Sequence, residues 1–260
     1  MKIIVCIKQV PDTTEVRLDP KTGTLIREGV PSIINPDDKC GLEAAIALKE
    51  QFDAHVTVIT MGPLQAEKAL REALAMGADD AILLTDRAFA GADTWATSST
   101  LASAIRNLEY DLIITGRQAI DGDTAQVGPQ IAEHLNLQQV SYVEALKKED
   151  DTLILKRMFE DGYHKIQVKM PCLITTLSEM NTPRYMSVAG IYEAFQKEIK
   201  HWTLEDLDVN RAFIGLKGSP TKVKKSFTKG VKTAGKLFEI TTANEGATII
   251  IDKLKEKFII

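Results

Sequence analysis

The chain has 260 residues, enough to bury a core of its own as one large domain or a domain with an appendage. Its 44% hydrophobic and 26% charged residues are ordinary for a soluble globular protein, and its net charge of −4 argues against a nucleic-acid binder, which is normally basic. No apolar run approaches the roughly 18 residues that cross a bilayer. The opening MKIIVCIKQVPD lacks the apolar stretch and cleavage site of a signal peptide, so a cytoplasmic protein without membrane insertion is expected.

Along the chain, residues 2–8 form a β-branched run of the kind buried on both faces of a sheet. EVRLD and TLIRE then alternate around Pro20-Lys21-Thr22-Gly23 and predict a hairpin. Asn35-Pro36-Asp37-Asp38 precedes CGLEAAIALKEQF, whose apolar spacing is helical; Pro36 suits a first helical position and the two aspartates suit the positive end of the helix. The segments AHVTVITMG, LQAEKALREALAMG, AILLTD, DTWATSSTLASAIRNLEY and DLIITG follow as strand, helix, strand, helix and strand. That alternation predicts a parallel, doubly wound α/β sheet with its ligand outside the carboxyl ends of the strands.

After about residue 140 the pattern changes to consecutive strands, with turns at Glu149-Asp150-Asp151 and Asp161-Gly162, and so to an antiparallel addition to the sheet. A helix is expected over 187–198. From about 210 the chain is rich in Lys, Gly, Ser and Thr and regains helical periodicity only at 243–256. The expected organisation is therefore a nucleotide-binding α/β domain over 1–210 and a C-terminal arm and helix over 211–260 that lie on a partner.

The richest segment runs from Gly116 to Pro129: Gly116-Arg117-Gln118-Ala119-Ile120-Asp121-Gly122-Asp123-Thr124-Ala125-Gln126-Val127-Gly128-Pro129. It follows a strand and leads into the helical QIAEHL. Glycines that admit close backbone approach, the helix-capping Asp123 and Thr124, and the fixed charge of Arg117 suit a phosphate or diphosphate. The segment is neither a GxGxxG fingerprint nor a Walker loop, so an ordinary strand-to-helix loop remains the alternative on composition alone. Cys6, Cys40 and Cys172 are far apart, and His55, His134, His164 and His201 are scattered, so neither a disulfide framework nor a metal site is expected.

GRQAIDGDTAQVGPQ, together with VCIKQVPD, INPDDKCGLEAA, ALAMGADDAILL and NTPRY at 181–185, resembles electron transfer flavoprotein beta subunits, and the likeness runs from the first strand to the last helix. The resemblance implies a sheet like that of the adenine nucleotide alpha hydrolases and a cofactor held by Cys6, Asn35, Asp37, Asp38, Met61 and the loop from Gly116 to Pro129. It further implies FAD, with AMP as the alternative found in part of the family. The sequence resembles the group that holds FAD, in which Val10, Pro11 and Asp12 lie where the flavin ring extends. In that group the bound FAD takes a hydride from NADH and sends one electron to ferredoxin or flavodoxin. The other passes through a second FAD in the alpha subunit to an acyl-CoA or lactate-type dehydrogenase. No side chain is expected to act as a catalytic acid or base, since the cofactor carries the chemistry. The resemblance also makes 177–185 a docking loop for the dehydrogenase, with Leu177 or Met180 as apolar anchor beside Pro183 and Arg184. A reading of another class, a stand-alone adenine-nucleotide sensor with the same sheet, is disfavoured by the added strands, the NTPRY loop and the arm.

Overall fold

The computed structural model of the chain describes residues 1–12, 17–18, 25–26, 31–222 and 235–260. The expected turn at Pro20–Gly23, residue Thr13 and most of the Lys-rich 217–236 stretch lie outside those residues. Two compact units emerge, Met1–Lys224 and Lys225–Ile260.

The first unit is built on β1 (Lys2–Cys6), whose side chains alternate between two cores. Ile3 and Val5 enter one, with Leu42 and Ile46; Ile4 and Cys6 enter the other, with Leu101 and Ile131. Burying one such Ile contributes about 1.5–3 kcal/mol, which is why the strand is apolar at every position after Lys2. Two short ladders follow: β2 (Gln9–Pro11) pairs with β5 (Ser32–Ile34), and β3 (Arg17–Leu18) with β4 (Leu25–Ile26), both antiparallel. The second is the hairpin predicted from the alternating residues.

Helix α1 (Pro36–Phe52) starts at Pro36 with Asp37 and Asp38 in its first turn and ends at Asp53 in a left-handed conformation (φ 49°). Strand β6 (His55–Met61), helix α2 (Glu67–Met76, closed by Gly77), strand β7 (Asp80–Leu84), helix α3 (Thr94–Ile105) and strand β8 (Leu112–Gly116) follow. Helix α3 stops earlier than the sequence pattern suggested. Tight turns at Asn107 and Leu108 reverse the chain, and Leu108 and Tyr110 pack on the second core from outside the helix. Helix α4 (Val127–Leu135) leads into the long β9 (Gln138–Glu149), then β10 (Thr152–Phe159), β11 (Gly162–Lys169) and β12 (Cys172–Thr176). Helix α5 (Val188–Gln196), strand β13 (Ile199–Trp202) and the single turn α6 (Gly215–Gly218) complete the unit.

These strands form one nine-stranded sheet in the order β11-β10-β9-β12-β8-β1-β6-β7-β13. From β9 to β13 every pairing is parallel, and β9–β10–β11 is antiparallel. Strand β9 serves both modes: its first half runs parallel to β12 and its second half antiparallel to β10. At the junction Tyr142 adopts φ 59° and its N–H donates to Thr175 Oγ1 at 3.1 Å, outside the regular ladder. The antiparallel addition read from the sequence is thus present. β13 was not foreseen.

The chain leaves β1 through β6 to β7, then crosses back to place β8 on the other side of β1. The reversal of strand order therefore falls between β1 and β8, the position where such sheets open a crevice. Residues 211–222 belong to this unit, so the arm begins later than the expected residue 211. Asp93 fastens them: its N–H donates to Ser219 Oγ (2.8 Å), and the N–H and hydroxyl of Thr221 donate to its carboxylate (2.9 and 2.7 Å).

In the second unit α7 (Ala243–Glu256) is capped by Thr242, which accepts from Glu245 N–H, and Glu245 in turn accepts from Thr241. No residue of α7 is buried.

Candidate functional site

A cavity of about 1140 Å³ lies at the carboxyl ends of β1, β6, β7 and β8. Cys6, Met61, Thr85 and Gly116 mark the strand ends, and the loop leading into α4 and the start of α3 form the walls. Each part follows from local sequence. Gly116 closes β8 where a side chain cannot fit: a Cβ there would lie 2.1 Å from Asp38 Oδ1. Gly128, in the first turn of α4, packs so closely on β8 and β12 that a Cβ would lie 2.5 Å from Thr115 Oγ1. Between them Asp123 and Ala125 hold left-handed backbone (φ 57° and 53°), a conformation that is costly for alanine and concentrated at functional loops.

The segment Asn35 to Asp38 is the bracket of the site. Asp38 is buried; it accepts from Lys8 N–H at 2.7 Å and from Gly116 N–H at 3.0 Å, joining the ends of β1 and β8. Burial pushes its carboxyl up to about 7, against the lowering effect of its hydrogen bonds with Asn35, Lys8 and Gly116. Asn35 donates to Gln118 C=O (2.8 Å) and accepts from Ile120 N–H (3.0 Å), fixing the glycine loop from below. Asp37 accepts from Ser178 N–H (3.0 Å), and its other oxygen lies 3.4 Å from Arg117 Nε. Burial outweighs that guanidinium and raises the Asp37 carboxyl as well.

The expected residues divide accordingly. Cys6, Asp38, Met61, Gly116, Arg117, Gln118, Gly122, Thr124, Ala125, Gln126, Val127 and Gly128 line the cavity. Asn35 and Asp37 do not; they act through the loops they hold. Asp121 pairs with Lys8, Asp123 accepts from Gln118, and Pro129 sits in the first turn of α4 without lining the cavity. Val10, Pro11 and Asp12 are also absent from the lining. Val10 is buried in the β2–β5 ladder, and the N–H of Asp12 donates to Pro31 C=O. Lining residues that sequence reasoning missed include Lys8 and the stretch from Thr85 to Thr97. The latter follows β7, whose carboxyl end was the available signal.

Cofactor chemistry fits the donor set. α4 starts at the cavity with no side-chain cap on its amides, and Arg117 Nε is buried with no hydrogen-bond partner. Uncapped amides at a helix start suit a phosphate, and Arg117, whose Nε faces Asp37 at 3.4 Å, adds positive charge beside them. Burial first, then the charge of Asp38, pushes the Cys6 thiol up to about 12, which disfavours its thiolate. Among the described residues no His/Cys/Asp/Glu group could hold a metal ion, and no helix is long and apolar enough to cross a membrane.

The residues expected to dock differ in exposure. Leu177 is wholly buried (0% exposed) and Met180 packs on the first core. Arg184 is engaged by Glu43 and Glu50 of α1, with Nη2 3.0 Å from Glu43 Oε1. The Arg184 contacts hold the loop onto α1. The apolar surface lies just beyond: Tyr185, Val188, Tyr192 and Phe195 are 98, 86, 70 and 68% exposed. Val188, Tyr192 and Phe195, spaced four and three residues apart, share one face of α5, a signal present in the sequence, and Tyr185 precedes the helix.

The electron transfer flavoprotein domain family matches residues 22–207. The chain is 61% identical over its full length, and the full length of the relative, to the electron transfer flavoprotein subunit beta of Clostridium acetobutylicum. It is 56% identical, again over the whole of both chains, to the caffeyl-CoA reductase-Etf complex subunit CarD of Acetobacterium woodii. Over 100% of both chains it is 47% identical to the acryloyl-CoA reductase electron transfer subunit gamma of Anaerotignum propionicum. The chain belongs to the electron transfer flavoprotein family, as a member of its beta-subunit branch.

Proposed function

We propose that the chain holds FAD in the cavity between β1 and β8, and that with an alpha subunit it bifurcates electrons from NADH. The observation that carries this reading is the cavity's extent. At about 1140 Å³ it runs from the Gly116–Gly128 loop past Cys6 and Met61 to Thr85–Thr97, beyond the roughly 300–1,000 Å³ of an ordinary small-molecule site. AMP would fill only part of it.

Bound FAD would supply hydride acceptance from NADH and single-electron delivery, one electron to ferredoxin or flavodoxin and one towards the alpha-subunit FAD. The residues of this chain bind and orient. The α4 amides and Arg117 hold phosphate oxygens, Asn35 and Asp38 keep the glycine loop in place, and Met61, Phe89 and Leu101 form an apolar wall that excludes water. The partner dehydrogenase acts on an acyl-CoA or a lactate-type substrate; the names of the Acetobacterium and Anaerotignum relatives favour the former. It docks on the face of Tyr185, Val188, Tyr192 and Phe195.

One observation favours AMP instead: Val10, Pro11 and Asp12, expected around the flavin ring, do not line the cavity. Extracting nucleotide from the purified alpha–beta pair decides between them. Two FAD per pair is the expected result; one FAD with one AMP ends the bifurcation reading and leaves a simple carrier.

A further inference from the structure

We propose that Lys8 is the mobile cation of the site, held in place by Asp121 until it turns to the phosphate of the adenine nucleotide. The proposal rests on the cofactor reading above. Three lining residues carry fixed or ready positive charge: Lys8, Arg87 and Arg117. Arg117 faces Asp37 at 3.4 Å. Arg87 follows β7, three strands from β8 in the sheet order, and so stands far from the glycine loop. Lys8 follows β1, the immediate neighbour of β8, and the loop that ends at Gly128 faces it across the crevice.

The backbone of Lys8 is pinned on both sides. Its N–H donates to buried Asp38 at 2.7 Å, and its C=O accepts from Asn35 N–H at 2.9 Å. The side chain therefore swings from a fixed root. Among the described residues its ammonium pairs with Asp121 Oδ1, at 2.7 Å, and the two side chains are half and one-third exposed. Such an exposed pair contributes little, so exchanging its carboxylate for a phosphate oxygen inside the cavity costs little. The lining carboxylates cannot compete for the ammonium on equal terms, because each is occupied by backbone amides. Asp38 holds Lys8 and Gly116 N–H, Asp86 holds Ala88 and Leu204 N–H, and Asp93 holds Ala96 and Thr221 N–H. Asp121 thus parks the cation at the rim.

The test uses the alpha–beta pair stripped of nucleotide and titrated separately with FAD and with AMP. Lys8→Gln weakens whichever nucleotide the wild type binds by roughly tenfold or more, the scale of one charge-assisted hydrogen bond, and makes its affinity less sensitive to salt. The charge-swapped double variant Lys8→Asp with Asp121→Lys keeps an ion pair between the two positions and therefore the thermal midpoint, yet leaves affinity low. If Lys8→Gln binds as the wild type does, or the swapped pair regains full affinity, Lys8 is only a loop tie and the proposal is overturned. A wild type that takes AMP and refuses FAD ends the FAD reading, while the Lys8 comparison is then read through AMP.

Discussion

Ile3, Ile4, Leu42 and Leu83 are at most 1% exposed in the first unit, while in the second Leu237 is 99% exposed and Phe258 95%, and Ile250, Ile259 and Ile260 stand open too. The first unit carries its own solvent-free interior. The second is amphipathic, and these apolar side chains among its described residues stand open; surface of that kind marks a partner interface. The alpha subunit is the partner that the family supplies. The difference separates two kinds of segment: the described residues of the first unit bury one another, while 235–260 leave their apolar side chains for the proposed contact with the alpha subunit.

Four measurements break or sharpen that contrast. The largest effect is expected from ending the chain after residue 234. The α/β unit keeps its secondary structure by far-ultraviolet circular dichroism, but co-purification with the alpha subunit is lost; retained pairing would show that the arm is dispensable. Next is Gly116→Ala, which drives a methyl to 2.1 Å from Asp38 Oδ1 and 2.8 Å from Asp38 N. Overpacking of this kind costs about 1–3 kcal/mol in urea unfolding and displaces the glycine loop, so bound nucleotide falls as well.

Asp38→Asn acts through pH. An acid whose carboxyl rises to about 7 on folding binds more protons folded than unfolded between its ordinary value and that one. Its contribution to stability therefore declines as pH rises through that window and levels off above it. The asparagine variant removes this slope, so the gap between unfolding midpoints at about pH 5 and about pH 8 narrows; an unchanged gap would place the titration elsewhere. The smallest effect on stability belongs to Val188→Ala. An 86% exposed side chain costs no more than about 0.5 kcal/mol, while electron transfer to the dehydrogenase slows if this face is the docking surface.

Much of the fold was legible because its signals are local. Unbroken apolar strands, Pro36 with two aspartates behind it, Gly77 after α2 and the turn at Asp161-Gly162 each depend on neighbours in sequence. Strand β13 was not legible, since IKHW has only one buried side chain and owes its conformation to pairing with β7. The glycine loop could be located from its composition. Which of its side chains enter the cavity could not, because that depends on Asn35 and Asp37, about 80 residues earlier, holding it from behind. The burial of Leu177 was hidden for a similar reason: it directly follows buried β12, and its N–H donates to Val143 C=O, more than thirty residues earlier.

Helix α1 has a consequence reaching beyond either surface. Its first turn grips the glycine loop through Asp38 and, from just before it, Asn35, while Cys40 C=O accepts from Asn181 and Glu43 and Glu50 clasp Arg184. One rod therefore serves as common axle for the pocket and for the loop entering the exposed helix. Neither end can be retuned alone: a designer who widens the cavity by moving α1 also re-aims the apolar face of α5.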